Sequence, residues 1–183
     1  YVCRGRRRGD DVEGDPVVKL CRFGANRYGV VRDGRVLDVT EQVVKAVVAS
    51  PLQRGDATIA NLGRIAEMVK GAALGAPVGN ANDMTCLAPV INPTKIIGAP
   101  VNYQLHVEES VADPGITFNH AVAAIDKAGL FLKAASSLAG PGEGVAVRFA
   151  DRRTDHEIEL GLVIGKECSN VTEERALDVV AGY

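Results

Sequence analysis

Residues 17–39 read VVKLCRFGANRYGVVRDGRVLDV, and this stretch decides the fold of the first half of the chain. It contains three short apolar runs, which are separated by Gly24–Arg27 and by the pair Asp33-Gly34. An Asp-Gly pair between two apolar runs is a strong signal for a tight β-hairpin. The pattern therefore predicts a small antiparallel meander.

Two helices are expected after the meander. Thr40 can cap the first of them. The apolar residues of that helix recur at helical spacing, and they are Val43, Val44, Val47 and Val48. The second helix covers about 59–70, with one apolar face and Gly71 just past its end. Residues 17–75 carry no clustered catalytic groups, so we expect them to form a scaffold domain.

The segments on either side of this domain differ from it in composition. Residues 1–16 contain a basic cluster followed by an acidic one, which is typical of a solvated tail rather than of a targeting peptide. Residues 76–93 are rich in Gly, Pro and Asn, as linkers are. We therefore expect a disordered tail at 1–16, a linker at 76–93 and a second domain at 94–183.

The second domain is expected to consist mainly of strands. Apolar runs predict them at Lys95–Gly98, Leu130–Lys133, Val145–Phe149 and Asp155–Ile164. A polar, partly helical stretch begins at Asn102, and Thr172 can cap a final helix. The fold class predicted for the chain is α+β and mainly β, with a small N-terminal α/β unit before the strand-rich part.

Composition excludes several classes of protein. The chain has 21 Lys and Arg against 23 Asp and Glu, and a net charge of −2 does not favour binding to nucleic acid. No apolar run reaches the ~20 residues that a membrane-spanning helix needs. The four cysteines lie far apart, at Cys3, Cys21, Cys86 and Cys168. This spacing favours a cytoplasmic protein whose thiols are reduced, without a disulfide framework or a cysteine zinc site.

The segment Asp155–Ile164 contains the first candidate site. On a strand, Glu157 and Glu159 share one face with about 7 Å between them along the strand. Ile158 and Leu160 share the opposite face. A half-buried strand with its polar face in water accounts for this pattern. If that face is covered instead, the two carboxylates need a cation between them, and oxygen ligands favour Mg²⁺, Mn²⁺ or Ca²⁺ over zinc.

The second candidate site is the pair His106 and Glu109. A helical turn places residues three positions apart side by side, and a carboxylate beside an imidazole orients it for general-base catalysis. A solvated helix face accounts for the same spacing. Lys133 ends an apolar run, where its amine usually extends to solvent. It could instead meet an anionic substrate or help to hold the acidic strand Asp155–Ile164.

Five short motifs occur in a fixed order over residues 95–183. They are Lys95-Ile96-Ile97, Asn102-Tyr103 with His106 and Glu109, Phe131-Leu132-Lys133, Glu157-Ile158-Glu159 with Val163-Ile164-Gly165, and Ala181-Gly182-Tyr183. Each motif alone has little specificity, but their order is specific. Taken together, they resemble the fumarylacetoacetate hydrolase family.

The resemblance implies a catalytic domain with a mixed β-sandwich roll, of which residues 94–183 are the first part. It implies one bound divalent metal, Mg²⁺ or Mn²⁺ with Ca²⁺ as an alternative, and it places the metal ligands at Glu157 and Glu159. The implied catalytic residues are His106, Glu109 and Lys133. A small 2-oxo acid is the implied substrate, and the complete protein is expected to be a homodimer.

The activity implied is hydrolysis of a C–C bond in an acylpyruvate or fumarylacetoacetate-like acid, through a metal-stabilised enolate, in the catabolism of aromatic compounds. Decarboxylation or keto–enol isomerisation of an oxaloacetate- or hydroxymuconate-type substrate uses the same enolate and stays an alternative. An inactive fragment with a binding role is another. The third metal ligand of the family is an Asp beyond Tyr183, so we expect an incomplete chain that is inactive alone.

Overall fold

The predicted meander is present in the computed structural model, which describes residues 2–3, 18–51, 54–113, 115 and 125–183. The strands β2 (Lys19–Phe23), β3 (Arg27–Arg32) and β4 (Arg35–Asp38) pair antiparallel in sequence order. Asp33 and Gly34 join β3 to β4 with positive φ angles of 48° and 72°. A type I′ hairpin turn needs this conformation at both positions, so the hairpin prediction is confirmed.

Three further short strands complete this sheet. The strands β1 (Val2–Cys3) and β6 (Cys86–Leu87) pair with the same edge of β2, at its two ends, and β5 (Gly79–Asn80) pairs with β4. Two residues of the predicted tail and four of the predicted linker therefore belong to the sheet. Composition indicates turns in such segments, but it does not reveal that two-residue strands satisfy the backbone groups of a neighbouring edge. Residues 4–16 of the predicted tail lie outside the described residues.

The side chain of Arg22, on β2, forms a hydrogen bond with the segment that follows β6. Its Nη1 donates to the carbonyl of Ala88, which is 66 positions later in the chain. Its Nη2 donates to Asn26 Oδ1 at 2.7 Å. The side chain is buried, so these two hydrogen bonds compensate part of the cost of removing the guanidinium from water.

Three helices follow the meander: α1 (Thr40–Val48), α2 (Ala57–Ala60) and α3 (Leu62–Lys70). Thr40 does not cap α1 as predicted, because its hydroxyl donates to Asp38 Oδ1 at 2.6 Å and accepts from the Tyr28 amide at 2.9 Å. The single helix predicted at 59–70 is divided at Asn61, whose Nδ2 donates to the Ala57 carbonyl at 2.8 Å.

The helices pack on one face of the sheet and form the main core. Its most buried members are Leu20, Val30, Val39, Val43, Ala46, Ile65 and Val69. A smaller cluster of Cys21, Phe23, Val36 and Ala81 covers the opposite face. Successive strand residues point to opposite faces, so Leu20 and Cys21 are each only 2% exposed. Burial raises the pKa of the Cys21 thiol to about 11, which keeps this cysteine neutral.

Gly29 on β3 lies where the sheet leaves no room for a side chain. A Cβ at this position would lie 2.5 Å from Val36 Cγ1 and 3.1 Å from Cys21 Sγ. We expect Gly29→Ala to lower the free energy of unfolding by about 1–3 kcal/mol, because neighbouring strands would have to move apart. Urea denaturation measures this change. Gly75→Ala is the control, since nothing lies within 4 Å of a Cβ there. Equal stability of the two variants would contradict the packing described for β3.

The described structure divides into two compact units, and the second of them comprises Pro93–Leu138. It contains β7 (Ile96–Gly98), α4 (Gln104–Ala112), α5 (Ile125–Ala128) and β8 (Phe131–Lys133). The strands β7 and β8 pair antiparallel, which confirms the strands predicted from the two apolar runs here. The helix predicted from Asn102 onward is α4.

Residues Ala139–Tyr183 belong to the first unit, together with the part of the chain up to Asn92. The division therefore differs from the expected single boundary at residue 94 between two consecutive domains. Residues Ala139–Tyr183 contain β9 (Val163–Ile164), which pairs with β10 (Val180–Gly182), and a 3₁₀ helix at Glu173–Val179 where a final α-helix was expected. The strand predictions for 145–149 and 155–162 are wrong. An alternating pattern needs a partner strand, and the described residues provide none for these segments.

The chain is thus α+β, as predicted, and antiparallel sheets form its framework. In the ranges that the structure describes, no helix has both the length and the apolar character required to cross a membrane.

Candidate functional site

Helix α4 brings His106 and Glu109 together. The distance from His106 Nδ1 to Glu109 Oε2 is 3.6 Å, as expected for residues one helical turn apart. This distance is longer than that of a hydrogen bond, so a shift of less than 1 Å would form one. The His106 side chain is 27% exposed and that of Glu109 is 69% exposed. The imidazole is therefore partly sheltered, while water and small solutes still reach the pair.

The two consecutive glutamates of α4 have different partners. Glu108 Oε1 accepts from Gln104 Nε2 at 3.0 Å, whereas Glu109 lies beside His106. The helix thereby separates one carboxylate that faces the imidazole from one that does not. This confirms the side-by-side placement of His106 and Glu109 that their spacing predicts.

Lys133 lies at the end of β8 with an exposed side chain. Its Nζ is 5.6 Å from the centre of the Phe131 ring, two residues earlier on the same face of the strand. Phe131 belongs to one of the five motifs, but the sequence pattern assigned it no role, because an aromatic residue in an apolar strand is usually a core residue. The signal that could have identified it is its i, i+2 spacing from a lysine.

Glu157 and Glu159 lie in the exposed, non-strand segment that precedes β9. Their oxygens are hard ligands, and both side chains are accessible, so the donors fit Mg²⁺ or Mn²⁺ in kind. Asp155, the nearest further carboxylate in the sequence, accepts from Arg153 Nε at 2.7 Å. Within the described ranges, no group of three or more His, Cys, Asp or Glu side chains could hold a metal ion. The described residues thus bring no further pair of such side chains to Glu157 and Glu159 that would complete a group of this size.

The predicted site residues are divided between the two units. His106, Glu109 and Lys133 belong to the unit Pro93–Leu138, and only the first two of them form a pair. Glu157 and Glu159 belong to the other unit. Each unit thus contains a different set of the predicted site residues.

The order of these residues along the chain agrees with a family comparison. Residues 95–183 match the family model described as fumarylacetoacetate (FAA) hydrolase C-terminal. Through this match, residues 95–183 of the chain belong to the fumarylacetoacetate hydrolase family. The family resemblance inferred from the five motifs is thereby confirmed.

Several members of the family are similar to this chain. Maleylpyruvate hydrolase of Aquipseudomonas alcaligenes is 48% identical over 171 residues, which are 91% of this chain and 59% of that protein. A mitochondrial oxaloacetate tautomerase of Xenopus laevis is 36% identical over 103 residues, 56% of this chain and 29% of that protein.

Solved structures of the family show the same fold. The crystal structure of maleylpyruvate hydrolase from Sphingobium sp. SYK-6, in complex with manganese(II) ion and pyruvate, matches this chain with a TM-score of 0.59 and 32% sequence identity. The match covers 88% of this chain and 54% of that one. The chain thus spans between about half and three fifths of the length of its maleylpyruvate hydrolase relatives.

Proposed function

We propose that this chain is part of a divalent-metal-dependent hydrolase that cleaves a C–C bond of an acylpyruvate. The observation that carries the proposal is the contact between His106 and Glu109 on α4, 3.6 Å apart. A histidine oriented by a carboxylate is the usual device for activating water near neutral pH. The similarity to two maleylpyruvate hydrolases supports this class of substrate.

Glu157 and Glu159 would hold the metal, for which we propose Mn²⁺ or Mg²⁺, with Ca²⁺ as an alternative. Carboxylates are preferred ligands of all three ions, and the Sphingobium relative contains manganese(II). When bound, such an ion supplies Lewis-acid polarisation of the 2-oxo acid group of the substrate.

His106 acts as the general base in this proposal. Its imidazole takes a proton from water, and the resulting hydroxide attacks the acyl carbonyl beside the bond that breaks. Glu109 orients the imidazole and stabilises its protonated form. As the C–C bond breaks, its electron pair stays with the pyruvate carbon, which regains a proton from His106. The products are pyruvate and a carboxylic acid.

Lys133 would bind the substrate through a carboxylate. Its ammonium group is a compact positive charge with three donors, and it is exposed at the end of β8. A charge-assisted hydrogen bond to a carboxylate is about twice as strong as a neutral one. The role proposed for Lys133 is therefore to fix the orientation of an anionic substrate.

Keto–enol isomerisation is the second candidate, and the similarity to an oxaloacetate tautomerase favours it. Isomerisation moves a proton between carbon and oxygen without an attacking water. Decarboxylation likewise requires no attacking water. A histidine beside a carboxylate can serve each of these reactions, so the substrate decides between them.

Two further proposals concern the whole protein. We propose a homodimer, as the family resemblance implies, and light scattering of the purified protein tests its mass. We also propose a cytoplasmic location within a pathway that degrades aromatic compounds. The described cysteines Cys21, Cys86 and Cys168 are free thiols, which fits a reducing compartment.

A comparison of substrates tests the function directly. The full-length protein that carries this sequence is assayed with an acylpyruvate and with oxaloacetate, with Mn²⁺ or Mg²⁺ added and with EDTA. We expect hydrolysis of the acylpyruvate that EDTA abolishes and Mn²⁺ restores. Conversion of oxaloacetate alone would establish the isomerase or decarboxylase alternative. Conversion of neither substrate would leave only a binding role for the protein.

A further inference from the structure

The ammonium group of Lys133 lies over an aromatic ring. Lys133 and Phe131 are two residues apart on β8 and so project from the same face of the strand. The Nζ atom is 5.6 Å from the ring centre, within the distance at which a cation is attracted to the face of a ring. Among the residues that the structure describes, no carboxylate forms an ion pair with Lys133. The Phe131 ring is therefore the described group that attracts the ammonium group of Lys133.

Gly98 allows the ring to take this position. In the β7–β8 pair, Gly98 lies directly opposite Phe131. A Cβ on Gly98 would be 2.6 Å from Phe131 Cζ and between 3.0 and 3.1 Å from its two Cε atoms. The ring thus covers the glycine backbone, in a space that any side chain at position 98 would occupy. Pairing of an aromatic residue across from a glycine in this way stabilises strand glycines.

This arrangement restricts a side chain that is otherwise mobile. Lysine has four rotatable bonds, and an exposed lysine loses that freedom when it binds a ligand. A residue held near its binding position before the ligand arrives loses less. Phe131 remains 42% exposed, so part of its ring stays accessible.

We propose that Phe131, whose ring packs against Gly98, is a positioning residue. It keeps the Lys133 ammonium group in the position in which it binds the carboxylate of a 2-oxo acid substrate. The inference rests on the proposed function and adds a residue to it. Phe131 itself does not touch the reacting atoms. Its contribution acts through Lys133 and concerns substrate binding rather than the chemical step.

The test compares KM and kcat for acylpyruvate hydrolysis by variants of the full-length protein. Phe131→Leu and Phe131→Met both keep an apolar side chain over Gly98 and remove the ring. We expect each to raise KM by ~2–5-fold, the range that an exposed cation–π contact supports, with kcat unchanged. Phe131→Tyr retains a ring and should keep the KM of the parent. Leu132→Ala, on the opposite face of β8, is the matched control and should also keep it.

A double-mutant cycle with Lys133→Met separates positioning from a structural role. Replacing Lys133 removes the charge, so Phe131→Leu should raise KM no further in that background. A KM increase that persists without Lys133, or that Phe131→Tyr fails to prevent, would overturn the inference. An unchanged KM in both Phe131→Leu and Phe131→Met would overturn it as well, while leaving the proposed function intact. Absence of hydrolysis in the parent protein would instead overturn the proposed function and this inference with it.

Discussion

The His106→Ala variant is expected to lose acylpyruvate hydrolysis by ~10²–10⁴-fold, the usual contribution of a general base, and to bind Mn²⁺ like the parent protein. The imidazole takes the proton from water in the proposed reaction, and alanine has no group that can do so. His106 is not one of the two proposed metal ligands, Glu157 and Glu159, so metal binding should not depend on it. Initial rates and calorimetric titration with Mn²⁺ measure the two effects separately.

Two glutamates of α4 provide the matched control for this prediction. Glu109→Gln removes the carboxylate beside His106 and should lower the rate. Glu108→Gln changes the neighbouring carboxylate, which hydrogen-bonds to Gln104 instead, and should leave the rate unchanged. Full turnover by His106→Ala would contradict the role of the pair. Loss of hydrolysis with retained conversion of oxaloacetate would show that water activation alone depends on the imidazole.

Glu157→Gln is expected to abolish metal-dependent activity and to weaken Mn²⁺ binding. Glutamine has the same shape as glutamate but carries no charge, and hard divalent ions depend on charged oxygen ligands. Titration of the variant with Mn²⁺ measures the affinity, and the hydrolysis assay at saturating Mn²⁺ measures what activity can be recovered.

Two exposed residues of the same unit serve as controls for Glu157→Gln. Glu167→Gln removes a carboxylate of the same unit that is not placed in the site, and it should keep both metal affinity and activity. Ile158→Val alters the adjacent side chain. Ile158 is 89% exposed, so the loss of one methylene should change the free energy of unfolding by less than about 0.5 kcal/mol. Equal loss of metal binding in Glu157→Gln and Ile158→Val would mean that the glutamate is not the ligand.

The features predicted correctly from the sequence depend on neighbours in the chain. The Asp33-Gly34 hairpin follows from the backbone angles that these two residues accept. The contact between His106 and Glu109 follows from helical periodicity. The motif order over residues 95–183 was sufficient to recognise the family, because each motif keeps its local spacing.

The features that were missed or wrong depend on distant residues. Whether 155–162 forms a strand depends on a partner strand, and alternation of side chains contains no information about that partner. The strands Gly79–Asn80 and Cys86–Leu87 lie in a segment whose glycines and asparagines indicate turns. The position of Phe131 opposite Gly98 could not be predicted, because it depends on the register of β7 and β8.

The way in which β6 joins the sheet determines the order in which the sheet can assemble. The hairpins between β2, β3 and β4 close short loops, whereas the contact of Arg22 with Ala88 joins residues 66 positions apart. The entropy lost on closing a loop increases with its length, so the meander can form while the outer edge of β2 is still unpaired. We expect the part of that edge that pairs with β6 to gain protection from solvent later than the strands of the meander.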